Sequence, residues 1–180
     1  LKNISCIALN PAASILITVD EDGRALLINY RKGVVLNHFN FKAQVEALEF
    51  SPCGKYFAVS HGKQIQVWVT PSLTREFAPF VLHRTYTGHY DDVRCLDWSP
   101  DSETFMSGSR DLTARIYSLN PMEGYPVMLS GHRESVIACS LNAPARSAYT
   151  ITRDGALLVW NNRGQSDEEE MGTMVGMKRV

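Results

Sequence analysis

Apolar residues recur along the chain in short bursts, separated by turns rich in Gly, Pro, Asn and Asp, with no stretch of helical periodicity. Four bursts align in one frame: "ISCIALNP" at 4–11, "VEALEFSP" at 45–52, "VRCLDWSP" at 93–100 and "VIACSLNA" at 136–143. Their opening residues are Ile4, Val45, Val93 and Val136, at intervals of 41, 48 and 43 residues. The third column holds Cys6, Ala47, Cys95 and Ala138, all small, and the sixth holds Leu9, Phe50, Trp98 and Leu141, all large and apolar. Each burst is followed by a Pro or Gly turn, and a second strand is expected at 15–19, 56–60, 104–109 and 148–152. A tight polar turn then leads to a third strand at 25–30, 65–69, 114–119 and 156–160. The first three repeats close on a fourth short strand, at 34–39, 80–86 and 127–131. Short strands at this spacing predict an all-β chain, and four strands per ~40–45 residues predict a β-propeller built of blades.

The frame divides the chain into repeats at about 1–41, 42–90, 91–133 and 134–161. Residues 162–180 then carry the acidic run Asp167–Glu170, which reads as a solvated linker or insertion. The closing "TMVGMKRV" either adds a strand or trails, so the fourth repeat's last strand is missing or comes from beyond residue 170. Propellers typically carry ~4–8 blades and a ring of about seven is expected here, so four form an incomplete ring and further blades are expected in a longer protein.

Composition narrows the function. A chain of 180 residues suggests one domain by length alone, and 44% hydrophobic content is ordinary for a globular protein. Net charge is -1, which gives no global basic field to hold a nucleic acid, although a local basic patch remains compatible. No apolar run approaches the roughly 20 residues of a membrane helix, so no membrane partner is expected. The cysteines Cys6, Cys53, Cys95 and Cys139 form no CxxC pair, and zinc spacing is absent. Cys6 and Cys95 fall in the small-residue column and Cys139 in the next, apolar one, so these three are read as reduced packing residues. No metal, cofactor or small-molecule substrate is expected.

One cluster raises a question of chemistry. In "GHYDDVRCLDWSPD" and the residues after it, His89, Ser107 and Asp111 supply the residue types of a hydrolytic triad. The same set recurs as His132, Thr150 and Asp154 at equal internal spacing, four residues from hydroxyl to carboxylate in both. Catalytic apparatus needs one nucleophile, one base and one cleft, and is not copied once per repeat. A hydrogen-bonded structural set is the expectation, and an enzyme is not.

The motifs "TGH" (87–89), "SGH" (130–132), "WSPD" (98–101), "SGSRDLTARIY" (107–117) and "TITRDGALLVW" (150–160) resemble the WD-repeat family over nearly residues 1–161. That resemblance implies a structural tetrad of histidine, Ser/Thr, turn aspartate and third-strand tryptophan. It maps onto His89, Ser107, Asp111 and Tyr117, and onto His132, Thr150, Asp154 and Trp160. Partial sets remain as Thr18 and Asp22 in the first repeat, with Ile28 in the aromatic position, and as Ser60 and Trp68 in the second. Longer stretches resemble WD-repeat subunits of the small-subunit processome: "HFNFK", Arg75-Glu76-Phe77 with Phe80-Val81-Leu82, and the acidic run after "GALLVW". The resemblance implies a non-catalytic scaffold in ribosome biogenesis, in the nucleus and nucleolus. Its partners would be other processome proteins, with pre-ribosomal RNA and small nucleolar RNA close by.

A propeller without catalysis works through loops on its faces. Glu21, Arg110 and Arg153 precede the turn aspartates and are candidates for contact there, the arginines with an acidic peptide or a phosphate. Tyr90 and Arg133 follow the Gly-His pairs at the same rim. The loop at 70–80 carries Leu73, Phe77 and Phe80, which either meet a protein partner or pack beneath their own loop. An adaptor of another machine, such as a ubiquitin-ligase receptor or a vesicle coat, is the alternative. Direct sequence-selective RNA binding lacks a basic balance and a stacked aromatic platform.

Overall fold

The computed structural model describes residues 3–74, 77–120, 126–142, 147–161 and 178–179. Among them every regular element is a strand. Sheet one comprises β1 (Ile4–Leu9), β2 (Ile15–Asp20), β3 (Arg24–Asn29) and β4 (Val34–Asn40). Sheet two comprises β5 (Leu48–Phe50), β6 (Tyr56–His61), β7 (Gln64–Val69) and β8 (Val81–Tyr86). Sheet three comprises β9 (Val93–Trp98), β10 (Thr104–Ser109), β11 (Ala114–Ser118) and β12 (Val127–Leu129). Sheet four comprises β13 (Val136–Asn142), β14 (Ser147–Thr152), β15 (Leu157–Asn161) and β16 (Lys178–Arg179). Each sheet is an antiparallel meander in sequence order, so the fold is all-β and of the WD-repeat propeller class. The fourth strand of sheet four comes from beyond residue 170, with Leu158 opposite Arg179 and Val159 opposite Lys178.

The chain divides into two compact units, Leu1–Val93 and Arg94–Val180, of two sheets each. In the first unit β2 alternates strictly, sending Ile15, Ile17 and Val19 into a core shared with Phe50, Phe57, Val59 and Trp68 of sheet two. Period-two alternation is what a strand with one buried face requires. Val45, expected to open a strand, is buried but stands ahead of β5. The reason is local: the Ser60 hydroxyl accepts the N–H groups of Glu46 (3.0 Å) and Ala47 (2.8 Å), so the ladder begins later. The corresponding places in β1 and β13 are register shifts, at Ile4/Cys6 and Val136/Ala138.

In the second unit the core joins Met106, Ile116 and Leu129 of sheet three to Leu141, Ala148, Leu158 and Trp160 of sheet four. Gly108 lies at this seam because nothing larger fits. A Cβ there would stand 2.4 Å from Val136 Cγ1 and 2.6 Å from Cys95 Sγ. All four cysteines are free; Cys6, Cys95 and Cys139 are half-buried and Cys53 is exposed.

Candidate functional site

The tight turn between second and third strands needs one residue in the left-handed region. Glycine fills it in three sheets, as Gly23 (φ 78°), Gly62 (φ 59°) and Gly155 (φ 82°), while sheet three uses Leu112 (φ 65°). The Leu112 carbonyl is thereby turned toward His132, whose Nδ1 lies 3.0 Å away. His132 Nε2 lies 2.9 Å from Thr150 Oγ1, and Trp160 Nε1 donates to the same oxygen at 3.0 Å. The donors fix the direction of the net. Indole N–H donates to Thr150, Thr150 O–H donates to Nε2, and Nδ1–H donates to the Leu112 carbonyl. The His132 ring also sits 5.3 Å from the Trp160 ring. Burial holds the imidazole pKa below its ordinary value, against the opposing pull of the Leu112 carbonyl and the Asp111 charge.

This arrangement corrects the expected tetrad in one member. Asp154 is exposed, and its carboxylate accepts from the Thr152 hydroxyl and from Ala156 N (3.4 Å). Both imidazole nitrogens of His132 are occupied by Leu112 and Thr150, and the carboxylate whose charge acts on the ring is Asp111 of the preceding repeat. The net therefore spans sheets three and four. A cavity of about 250 Å³ lies against it, lined by His132, Arg133, Thr152, Asp154, Ala156 and Leu158.

In the third repeat Ser107 is fully buried and contacts the Arg115 carbonyl at 3.5 Å. Tyr117, standing where tryptophan is usual, hydrogen-bonds Ser107 and stacks on Phe105 at 5.3 Å. Burial drives its hydroxyl pKa up to about 12, so it is a donor at any physiological pH. Asp111 accepts from Thr113 N (3.0 Å) and Thr113 Oγ1 (2.6 Å), tying its own turn. His89 is buried.

The partial sets of the first unit diverge further. Phe41 stands four residues before Val45, as His89 stands before Val93 and His132 before Val136. A phenyl ring thus occupies the histidine place, and Trp68 Nε1 is buried without a partner. Ser60 and Trp68 do not form the expected bond, because Ser60 is engaged by the Glu46 and Ala47 amides. An aromatic cluster surrounds the indole instead: Phe39 at 5.3 Å, Phe41 at 6.0 Å and Phe80 at 6.4 Å. In the first repeat Asp20, and not Asp22, caps the turn by accepting from Asp22 N and Arg24 N at 2.9 Å each. Asp22 faces Arg24 at 3.7 Å, and Thr18 is half-buried opposite Ile7 and Leu26.

Of the face candidates, Glu21, Arg110, Arg133, Arg153 and Tyr90 are exposed. Phe77 is fully exposed, whereas Phe80 is half-buried, stacks on Phe39 at 4.4 Å and packs against the core of the first unit. Sequence reading passed over Asp97. Its Oδ2 accepts the Leu141 N–H across the seam between sheets three and four at 2.6 Å, and burial raises its pKa. Its signal was an acidic residue just before the large apolar residue of the first strand, a place shared with Glu49.

The geometry describes a closed net. Ser107 and Thr150 are both 0% exposed, so neither hydroxyl can meet a substrate. Comparison with known proteins agrees with a repeat architecture. The family model "WD domain, G-beta repeat" matches residues 33–69 and 80–118. The chain is 54% identical over 162 residues to the periodic tryptophan protein 2 homolog of Schizosaccharomyces pombe, covering 88% of this chain and 19% of that protein. It is 41% identical over 174 residues to periodic tryptophan protein 2 of Saccharomyces cerevisiae, covering 94% and 19% respectively. The chain thus spans about a fifth of the length of these relatives. The solved structure titled "Structure of U3-55K" superposes with a TM-score of 0.73 at 23% identity, over 89% of this chain and 49% of that one.

Proposed function

We propose that this chain, a run of WD repeats homologous over most of its length to the periodic tryptophan protein 2 proteins, is a non-catalytic scaffold in ribosome biogenesis. The observation that carries the reading is identity of 41–54% across 88–94% of the chain with proteins of that one name. The finer proposal is membership of the small-subunit processome, in the nucleolus, where pre-ribosomal RNA is processed and the small subunit assembled. The site geometry supports the non-catalytic part. A nucleophile must reach its substrate and a general base must have a nitrogen to spare, and the His132 net provides neither. What remains to act is the surface: the exposed Arg110, Arg133 and Arg153 and the exposed Tyr90 and Phe77 offer charge and aromatic area to protein partners. Contacts of this kind are individually modest and add up through many partners in a large particle.

Purification of the tagged full protein tests the reading. Pre-ribosomal RNA and small nucleolar ribonucleoproteins should accompany it, together with other assembly factors. Recovery of a cullin or a vesicle-coat complex in their place would contradict it.

A further inference from the structure

Strand β8 forms the edge of sheet two, paired on one side to β7 and, among the described residues, to no strand on the other. Its first five residues, Val81 to Thr85, are all exposed, with Val81 at 56% and Leu82 at 44%. Exposed aliphatic residues on a free edge are a liability that proteins usually blunt with charge or a bulge. β8 does so only in part: its register shifts between the partners of Val67 and Trp68, which leaves His83 as the extra residue. Phe77, four residues before the strand, is exposed over its whole ring.

The charged residues described at this edge, Lys55 and Arg84, are both basic. The described stretches 51–74 and 77–90 contain Lys55, Lys63 and Arg84 and no aspartate or glutamate. Lys55 and Arg84, with the His83 ring, lie on or beside the strand. The rings of Tyr56 and His83 lie 4.8 Å apart, Lys55 Nζ stands 5.2 Å from the Tyr56 ring, and the Arg84 guanidinium lies 5.8 Å over Tyr86. The Lys55 head thus lies near a ring of the inner strand β6, and the Arg84 head near a ring of β8 itself.

We propose that the β8 edge is a docking site for an extended peptide that carries an aliphatic segment next to an acidic one. Its backbone adds to the free edge, its aliphatic side chains cover Val81, Leu82 and Phe77, and its carboxylates meet Lys55, His83 and Arg84. The aliphatic exposure favours a peptide over a single-stranded nucleic acid, which would use the charge and the rings but leave Val81 and Leu82 in water. The bulge at His83 limits the added ladder to a short segment on either side of it. This site lies outside the His132 net and does not depend on which assembly the protein joins.

The test uses the full chain and a fluorescein-labelled 12-residue peptide with a Leu/Val half and an Asp/Glu half, read by polarisation. Binding should weaken roughly tenfold or more in Leu82→Ser and in Arg84→Glu, and stay unchanged in Arg153→Glu. Hydrogen exchange of the unmutated chain should slow over residues 81–86 when the peptide is present. Absence of binding, binding indifferent to both β8 variants, or protection confined to other strands would overturn the proposal. So would a uridine 12-mer that binds and is lost with Arg84→Glu while the peptide fails to bind.

Discussion

Sheets two and four are built on one pattern and hold their third-strand tryptophan in opposite ways. In sheet four Trp160 donates to Thr150, Thr150 to His132, and His132 to the Leu112 carbonyl. In sheet two the histidine place is taken by Phe41 and the hydroxyl of Ser60 by two backbone amides, and the Trp68 N–H has no partner. A buried donor left unpaired costs on the order of 1–3 kcal/mol. The aromatic packing around Trp68, with edge and stacked contacts among Phe39, Phe41, Phe57 and Phe80, offsets that cost through area and ring geometry. The lesson is that the polar set is one of two ways to secure the same place in the fold. A cluster that can be exchanged for phenyl rings in a sister repeat serves packing and not chemistry.

The comparison can be broken most forcefully at the seam of the second unit. Gly108→Ala places a methyl group within 2.4 Å of Val136 Cγ1 and 2.6 Å of Cys95 Sγ. Overpacking of this kind should cost about 1–3 kcal/mol. Hydrogen exchange should show the loss in β9–β15, with the strands of the first unit keeping their protection. Uniform loss across all sheets would mean that the two units do not respond separately.

Acid provides a gentler probe of the same contrast. The folded His132 has its pKa lowered by burial, so below about pH 6.5 the unfolded chain takes up a proton that the folded chain resists. Stability from this residue is therefore complete above that pH and declines as the pH falls toward the folded pKa. The melting temperature should drop between pH 7 and pH 5, and His132→Gln should flatten that slope. An unchanged slope in the variant would place the effect on another histidine. Asp97 works in the other direction: its raised pKa contributes stability at low pH that is lost as the pH rises through the folded value. The two groups act with opposite signs, so the change of slope in His132→Gln isolates the His132 part.

The smallest change concerns the turn that feeds the net. Leu112 is 41% exposed and holds a left-handed φ of 65°, where the other three sheets have glycine. Leu112→Gly relieves about 1 kcal/mol of backbone strain and gives back part of it in chain entropy. A net gain of about 0.5 kcal/mol is expected in denaturant titration, with the His132 bond retained. A loss would show that the Leu112 side chain holds the carbonyl in place.

Most of the strand framework was legible because period-two alternation and turn residues are local signals. The columns of Val45, Val93 and Val136 fixed the repeat, and the residues between them placed the second and third strands. What the pattern could not carry was pairing decided between repeats. Asp154 matches the turn aspartate in type and spacing, yet it is exposed and bonds within its own turn, because Leu112 and Thr150 already fill both nitrogens of His132. Phe80 sits in a loop with the composition of a contact surface, but stacks on Phe39 from another sheet. Phe41 had a readable position, four residues before the opening valine, but a phenylalanine there carries no polar signal to mark it. Ser60 matched the Ser/Thr place of the tetrad, whereas its capture by the Glu46 and Ala47 amides follows from a local break in the ladder.

The central claim is that the His132 net is a structural fastening that sheet two replaces with aromatic packing. Paired substitutions test it most directly: Trp68→Phe and Trp160→Phe, each measured by circular-dichroism melting of the full chain. Both remove the same atoms from a buried ring. Only Trp160→Phe also strips Thr150 of its donor, while Trp68→Phe removes a donor that had no partner. Trp160→Phe should therefore cost about 1–3 kcal/mol more than Trp68→Phe. Equal losses, or a larger loss at Trp68, would contradict the account.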